Sequence, residues 1–222
     1  QSMLVRSTLL FTKDPSIEEY FAQIRYVGER DRQLHLMRLG CHILGMLAKA
    51  EKWLYVKGDP TYSAFWMIRM ADLLAQIEVV LHGDVPMRES LQQAMKLNPD
   101  FFQDVYTNMV CGAVDESRVR DVLKRIQQYL TEKTEAMFQP ILTFLKDEAD
   151  VRTVTDLVER LGSVIHLDTG SMTSACDWLA DQGLLAKLEA ETKATPKSRV
   201  QLFEPAYLYD QMDDGDWEMG DR

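Results

Sequence analysis

Apolar residues recur every three or four positions along most of this chain, so most of it is expected to be helical. Leu34, Met37, Cys41, Leu44, Leu47 and Ala48 make one such stripe and predict a helix from about 30 to 54. Met67, Met70, Ala71, Leu74, Ile77 and Leu81 predict the next, from about 61 to 82. Val119, Val122, Leu123, Ile126, Tyr129 and Leu130 predict a long one from about 115 to 138. A shorter helix is expected near Ile17, capped by Asp14 or Ser16, and one or two more between 87 and 111, broken at Asn98-Pro99. Lys57-Gly58-Asp59-Pro60 and Gly83-Asp84-Val85-Pro86 carry turn chemistry between them. Helices joined by short connections predict an antiparallel bundle over residues 4–138. Its opening run, Leu4 to Phe11, is apolar and β-prone.

The pattern changes after residue 138. A short helix over 139–147 is followed by a brief extended piece at Val151-Arg152-Thr153-Val154. A helix over 155–162, with Thr155 as its cap, leads to a turn at Leu167-Asp168-Thr169-Gly170. Another helix runs from Ser171 to Gln182 and is stopped by Gly183. Two β-prone runs, Leu184 to Leu188 and Arg199 to Phe203, flank Thr195-Pro196-Lys197. Trp178-Leu179-Ala180-Asp181-Gln182-Gly183-Leu184-Leu185 resembles the seam between recognition helix and first wing strand of winged helix-turn-helix domains. Thr195-Pro196-Lys197-Ser198-Arg199 resembles the wing. The expected class is therefore all-α, mainly helical: an antiparallel bundle, a C-terminal winged helix over 139–209 with a small β-hairpin, and an acidic tail over 210–222 expected to be disordered.

Composition adds bounds rather than chemistry. Apolar residues make up 46% and charged residues 27% of the chain, ordinary for a globular protein. No apolar run approaches the roughly 20 residues that span a bilayer, and no stretch has the layout of a secretion signal, so no membrane partner is expected. Cys41, Cys111 and Cys176 are odd in number and lie in apolar helical stretches. They read as reduced core thiols of a cytoplasmic protein. Gln1-Ser2-Met3 reads as the remnant of a cleaved affinity tag.

The net charge of −10 weighs against a nucleic-acid binder, although six acidic residues of the tail, against Arg222, account for about half of it. The expected recognition helix opens Ser171-Met172-Thr173-Ser174-Ala175-Cys176-Asp177, without a base-reading or phosphate-binding cation. Lys193, Lys197 and Arg199 are the thin nucleic-acid-binding set of the wing, and DNA is disfavoured as a partner. Protein docking or packing suits the module better.

The densest stretch for binding chemistry lies around the turn at Gly58. Arg69, Asp72 and Gln76, at i, i+3 and i+7, share a helix face, with Trp66 one turn earlier. An aromatic beside a guanidinium beside a carboxylate can hold a sugar, base or phosphate. Tyr62, Trp66, Arg69, Asp72 and Glu78 are the candidate substrate-binding residues. The competing reading is an Arg69–Asp72 pair with a Trp packed on the next helix. Arg30 to His35 has an Arg-x4-His spacing, His42 reads as a hydrogen-bonded core residue, and His82 and His166 end helices.

A helix, the turn Gly58-Asp59-Pro60-Thr61-Tyr62-Ser63-Ala64 and a second amphipathic helix resemble, over residues 15 to 138, HEPN domains and the helical C-terminal domains of kanamycin-nucleotidyltransferase-like enzymes. That resemblance implies a substrate- or nucleotide-binding helical module working beside a nucleotidyltransferase domain, in the same or another chain. It also implies that Leu4 to Phe11 is the last strand of a truncated catalytic domain. The catalytic half of such enzymes needs a Gly-Ser turn leading into Asp-x-Asp to hold metal against a triphosphate. Neither Gly162-Ser163 nor Gly170-Ser171 leads into one. Ribonuclease members of the HEPN group carry an Arg-x4-6-His motif late in the bundle, whereas Arg30 and His35 lie early. With no phosphate loop, Gly-x-Ser-x-Gly or metal-ligand spacing, no catalytic residue, metal or cofactor is assigned. Whether the chain is itself an enzyme stays open. The alternative is a winged-helix transcriptional regulator whose bundle senses a ligand or mediates a homodimer. A structural interaction module is the remaining reading.

Overall fold

The computed structural model of the protein describes residues 7–24, 28–193 and 201–209. The chain is mainly helical with a small antiparallel sheet at its C-terminal end. Helix α1, Pro15–Ile24, begins where the Asp14 carboxylate accepts the Ser16 N–H. The described part of the β-prone opening run, residues 7–11, forms no strand, and Leu10 and Phe11 are exposed. Helix α2, Glu29–Glu51, continues through a π-helical turn, Lys52–Val56, instead of running as a plain helix to residue 54. Asp59 then caps α3, Pro60–Leu81, by accepting the Tyr62 N–H, with Pro60 in the first turn.

The stretch 87–111 is more broken than expected. It gives α4 Ser90–Leu97, α5 Pro99–Phe102, a π turn Gln103–Thr107 and α6 Asn108–Cys111. The long helix expected over 115–138 is two helices, α7 Glu116–Glu132 and α8 Thr134–Glu148. The seam is at Lys133, and Thr134 donates its hydroxyl back to the Leu130 carbonyl. Pro140 lies inside α8. It kinks the helix at Phe138 (φ −110°, ψ 17°) instead of ending it, since proline lacks the N–H and crowds the preceding turn. The bend carries the Phe138 ring over Gly40 of α2, where a Cβ would lie 2.7 Å from the ring. Only glycine admits that approach.

Strand β1, Arg152–Thr153, leads into α9, Val154–Leu157. The cap is Thr153, two residues before the expected Thr155. Its hydroxyl accepts the Asp156 N–H while the Asp156 carboxylate accepts the Thr153 N–H. A π turn Val158–Gly162, α10 Ser163–Ile165 and α11 Thr169–Asp181 follow. Strands β2, Leu185–Lys193, and β3, Gln201–Tyr209, pair antiparallel from Leu185 opposite Tyr209 to Lys193 opposite Gln201. β1 adds to the other edge of β3, giving the order β1-β3-β2. Thr195-Pro196-Lys197, Arg199 and the tail from 210 lie outside the described residues.

One buried cluster runs through the molecule. Leu36, Met37 and Ile43 of α2, Met67, Leu74 and Ile77 of α3, Leu123 and Ile126 of α7 and Phe138 of α8 belong to it. It continues through Leu157, Met172, Cys176 and Leu179 to Tyr207 on β3, across residue 138. Each such large apolar side chain contributes about 1.5–3 kcal/mol of burial. Among the described residues no helix is long and apolar enough to cross a membrane.

Candidate functional site

Three elements converge on an open cleft of about 840 Å³. α2 contributes Cys41, His42, Gly45, Met46 and Lys49, α3 contributes Trp66, Arg69, Asp72 and Leu73, and the start of α11 contributes Asp168, Gly170, Ser171 and Ser174. The spacing explains the convergence. Positions 42, 45, 46 and 49 make a stripe beside the apolar one on α2, and 66, 69, 72 and 73 make another on α3.

Trp66 is the centre of the site. Its ring is half-buried, with the Lys49 ammonium 4.4 Å and the Arg69 guanidinium 4.9 Å from its centroid. Arg69 also lies 5.7 Å from the Phe65 ring. Among the described residues neither cation makes an ion pair or a hydrogen bond. Two like charges beside one indole repel each other, and an anion between them would relieve that repulsion. The Trp66 Nε1 is buried without a hydrogen-bond partner among the described residues.

The carboxylates of the cleft are engaged instead. Asp72 accepts from the Ser90 hydroxyl at 2.6 Å and the Gln76 amide at 2.7 Å, and the Arg69–Asp72 pair of the competing reading does not form. Asp168 caps α11 by accepting the Ser171 N–H at 2.7 Å. That bond, foremost among its hydrogen bonds, holds its carboxyl below the usual range, and the nearby His42 adds to the effect. Cys41 lies at the cleft floor. Burial, with the charge of Asp168, pushes its thiol up to about 12, so it stays protonated and unreactive.

Of the five residues singled out from sequence, the structure brings Trp66, Arg69 and Asp72 to the cleft. Tyr62 lies on the same face two turns earlier, outside the lining but in ring contact with Trp66 at 6.4 Å. Glu78 belongs elsewhere. It lies about half a turn round the helix from Arg69 and is buried, accepting the Tyr129 hydroxyl at 2.6 Å. His42 is exposed in the cleft rather than set in the core, and Cys111 is an exposed thiol. Lys49, His42, Gly45 and the start of α11 were missed; the polar stripe on α2 was the signal that could have found the first three.

Arg30 lines a separate depression with Gln33, Gln139 and Arg160, and His35 does not join it. His35 is half-buried, and its Nδ1 lies 3.4 Å from the Arg38 guanidinium. Of the cations suggested for the wing, Lys193 closes β2, and Lys197 and Arg199 lie outside the described residues.

No protein-family model and no curated protein matches this chain. In three dimensions it is similar to the crystal structure of a nucleotidyltransferase-like protein from Exiguobacterium sibiricum 255-15. The TM-score is 0.69 at 17% sequence identity, over 93% of this chain and 68% of that one. At this identity the likeness is one of fold.

Proposed function

We propose that this chain is the helical, nucleotide- or substrate-binding part of a nucleotidyltransferase-like protein, and that its ligand enters the cleft between α2, α3 and the start of α11. The observation that carries this reading is Trp66 flanked by Lys49 and Arg69, two cations without an acidic partner among the described residues. Such a group suits a phosphorylated ligand, with the cations at its phosphates. The Asp168 carboxylate occupies the Gly170 and Ser171 N–H groups at the start of α11, so the cations are the anchors. The similarity to a nucleotidyltransferase-like protein supports the class of ligand.

The HEPN-like bundle over 4–138 and the winged helix over 139–209 enter the reading as two modules sharing one site. In that arrangement the first turn of the recognition helix is turned toward α2, which suits packing and ligand contact rather than groove reading. No transfer chemistry is assigned to these residues, and the catalytic carboxylates belong to a nucleotidyltransferase domain elsewhere.

The test is a thermal-shift and calorimetric panel of nucleoside mono-, di- and triphosphates on the 222-residue chain. A phosphorylated nucleoside is expected to bind, and Arg69→Gln is expected to weaken it about tenfold with an unchanged melting temperature. A silent panel, or full affinity in Arg69→Gln, would overturn the reading.

A further inference from the structure

We infer that the ligand is a single-stranded nucleic acid, laid from the cleft across an aromatic face that adjoins it. The inference rests on the nucleotide reading only for the position of one end of the strand. From Trp66 in the cleft the rings continue outward over Phe65 at 5.8 Å, Tyr62 at 5.5 Å and Trp53 at 4.4 Å, each distance measured from the preceding ring. Phe65 is 45% and Tyr62 40% exposed, which is unusual for neighbouring aromatics without a partner. Phe65, Trp66 and Tyr62 share a face of α3 through their helical spacing. The π turn after α2 brings Trp53 onto them, with the Asp59 N–H bonded to the Trp53 carbonyl at 2.9 Å.

The charge around these rings differs from that of the whole chain. Lys49, Lys52, Lys57 and Arg69 are exposed, and none makes an ion pair among the described residues. The two carboxylates in the same stretch are engaged: Glu51 accepts from the Gln127 amide, and Asp59 caps α3. A protein of net charge −10 thus keeps a cationic, aromatic strip beside the cleft. Stacking on exposed rings with cations along the backbone is how single strands are held without base reading. A duplex hides the base faces that such rings need, so it fits the strip poorly.

The test is fluorescence anisotropy of a labelled oligouridylate of about 12 nucleotides on the 222-residue chain, beside calorimetry with uridine monophosphate and light scattering of the protein alone. The oligouridylate is expected to bind at least about tenfold tighter than the mononucleotide, with an affinity that falls as salt rises. Tyr62→Ala with Phe65→Ala should lower that affinity about tenfold or more, a larger factor than it lowers mononucleotide affinity. Both rings are half-exposed, and a wild-type melting curve confirms the fold. Lys52→Gln with Lys57→Gln, outside the cleft, should flatten the salt dependence. Equal binding of oligouridylate and mononucleotide, full affinity in the aromatic double variant, or equally tight duplex binding would overturn the inference. So would a wild-type dimer that the aromatic variant dissociates, since the strip would then be a self-interface. Strand binding through Tyr62 and Phe65 with no mononucleotide binding would uphold the inference and remove the cleft reading.

Discussion

The two long faces of α3 handle polar groups in opposite ways. On its buried side, Glu78 accepts the Tyr129 hydroxyl of α7, and Ser63 donates to the Ala50 carbonyl of α2 at 2.8 Å. Both polar groups have a fixed partner, and the cost of removing them from water is offset within the fold. Toward the cleft, Arg69 lies over the Phe65 and Trp66 rings without an ion pair, and the Trp66 Nε1 has no hydrogen-bond partner, among the described residues. One face is finished by folding. The other keeps unpaired polar groups among the described residues, so the proposed ligand binding rests on Trp66 and Arg69 and stability on Tyr129 and Glu78.

The largest effect should come from the closed face. Tyr129→Phe keeps the ring stacked on Phe101 at 4.4 Å but removes the donor to a buried carboxylate. The expected loss is about 2 kcal/mol in urea unfolding, because hydrogen bonds to charged groups are the costly ones to break. Nucleotide binding should be untouched. Tyr62→Phe, on the open side, should change stability by no more than about 0.5 kcal/mol. Equal losses in the two variants would erase the distinction between the faces.

A smaller effect of opposite sign is expected in the cleft. Gly45 lies within α2, where a Cβ would meet nothing within 4 Å. Glycine inside a helix costs about 0.5–1 kcal/mol relative to alanine. Gly45→Ala should therefore stabilise the protein by about that amount, and Gly45→Met, which projects further into the cleft, should weaken nucleotide binding. A destabilised Gly45→Ala, or unchanged binding in Gly45→Met, would mean that the space at Gly45 serves no ligand.

Much of this was legible before the fold was known, for reasons visible in particular residues. The stripes on α2, α3 and α7 are long and regular, so their burial could be read directly. Arg69 and Asp72 were placed on one face by spacing alone, yet their partners could not be. Asp72 is taken by Ser90, far along the chain, and that choice depends on how α4 packs. Glu78 was grouped with Arg69 by nearness in sequence although its angle on the helix is opposite. The seam at Lys133 carries no glycine or proline, and Pro140, which does carry the signal, only kinks its helix. β2 and β3 run longer than their apolar patches because ladder hydrogen bonds hold residues such as Lys187, Glu189 and Glu191 whatever their polarity. The cleft itself joins residues 41–49, 66–73 and 168–174, a juxtaposition that no local pattern encodes.

Unpartnered buried polar atoms also occur away from α3, and His35 gives the smallest effect. Among the described residues the Nε2 of His35 is buried without a partner, as few buried polar atoms are. Burial first, and then the Arg38 guanidinium, pushes its pKa below the ordinary histidine value. A lowered histidine pKa means that the unfolded chain binds the proton more readily than the folded one. Stability is then complete above the ordinary value of about 6.5 and falls as the pH drops through it, levelling only below the folded-state pKa. His35→Gln cannot take up this proton. Its melting temperature, followed from neutral to mildly acidic pH, should decline less than that of the wild type. Carboxylates common to both proteins shift the two curves together, so the difference between them isolates His35. Parallel curves would show that His35 is as free to charge in the fold as in water, and that its unpartnered nitrogen costs the folded state nothing.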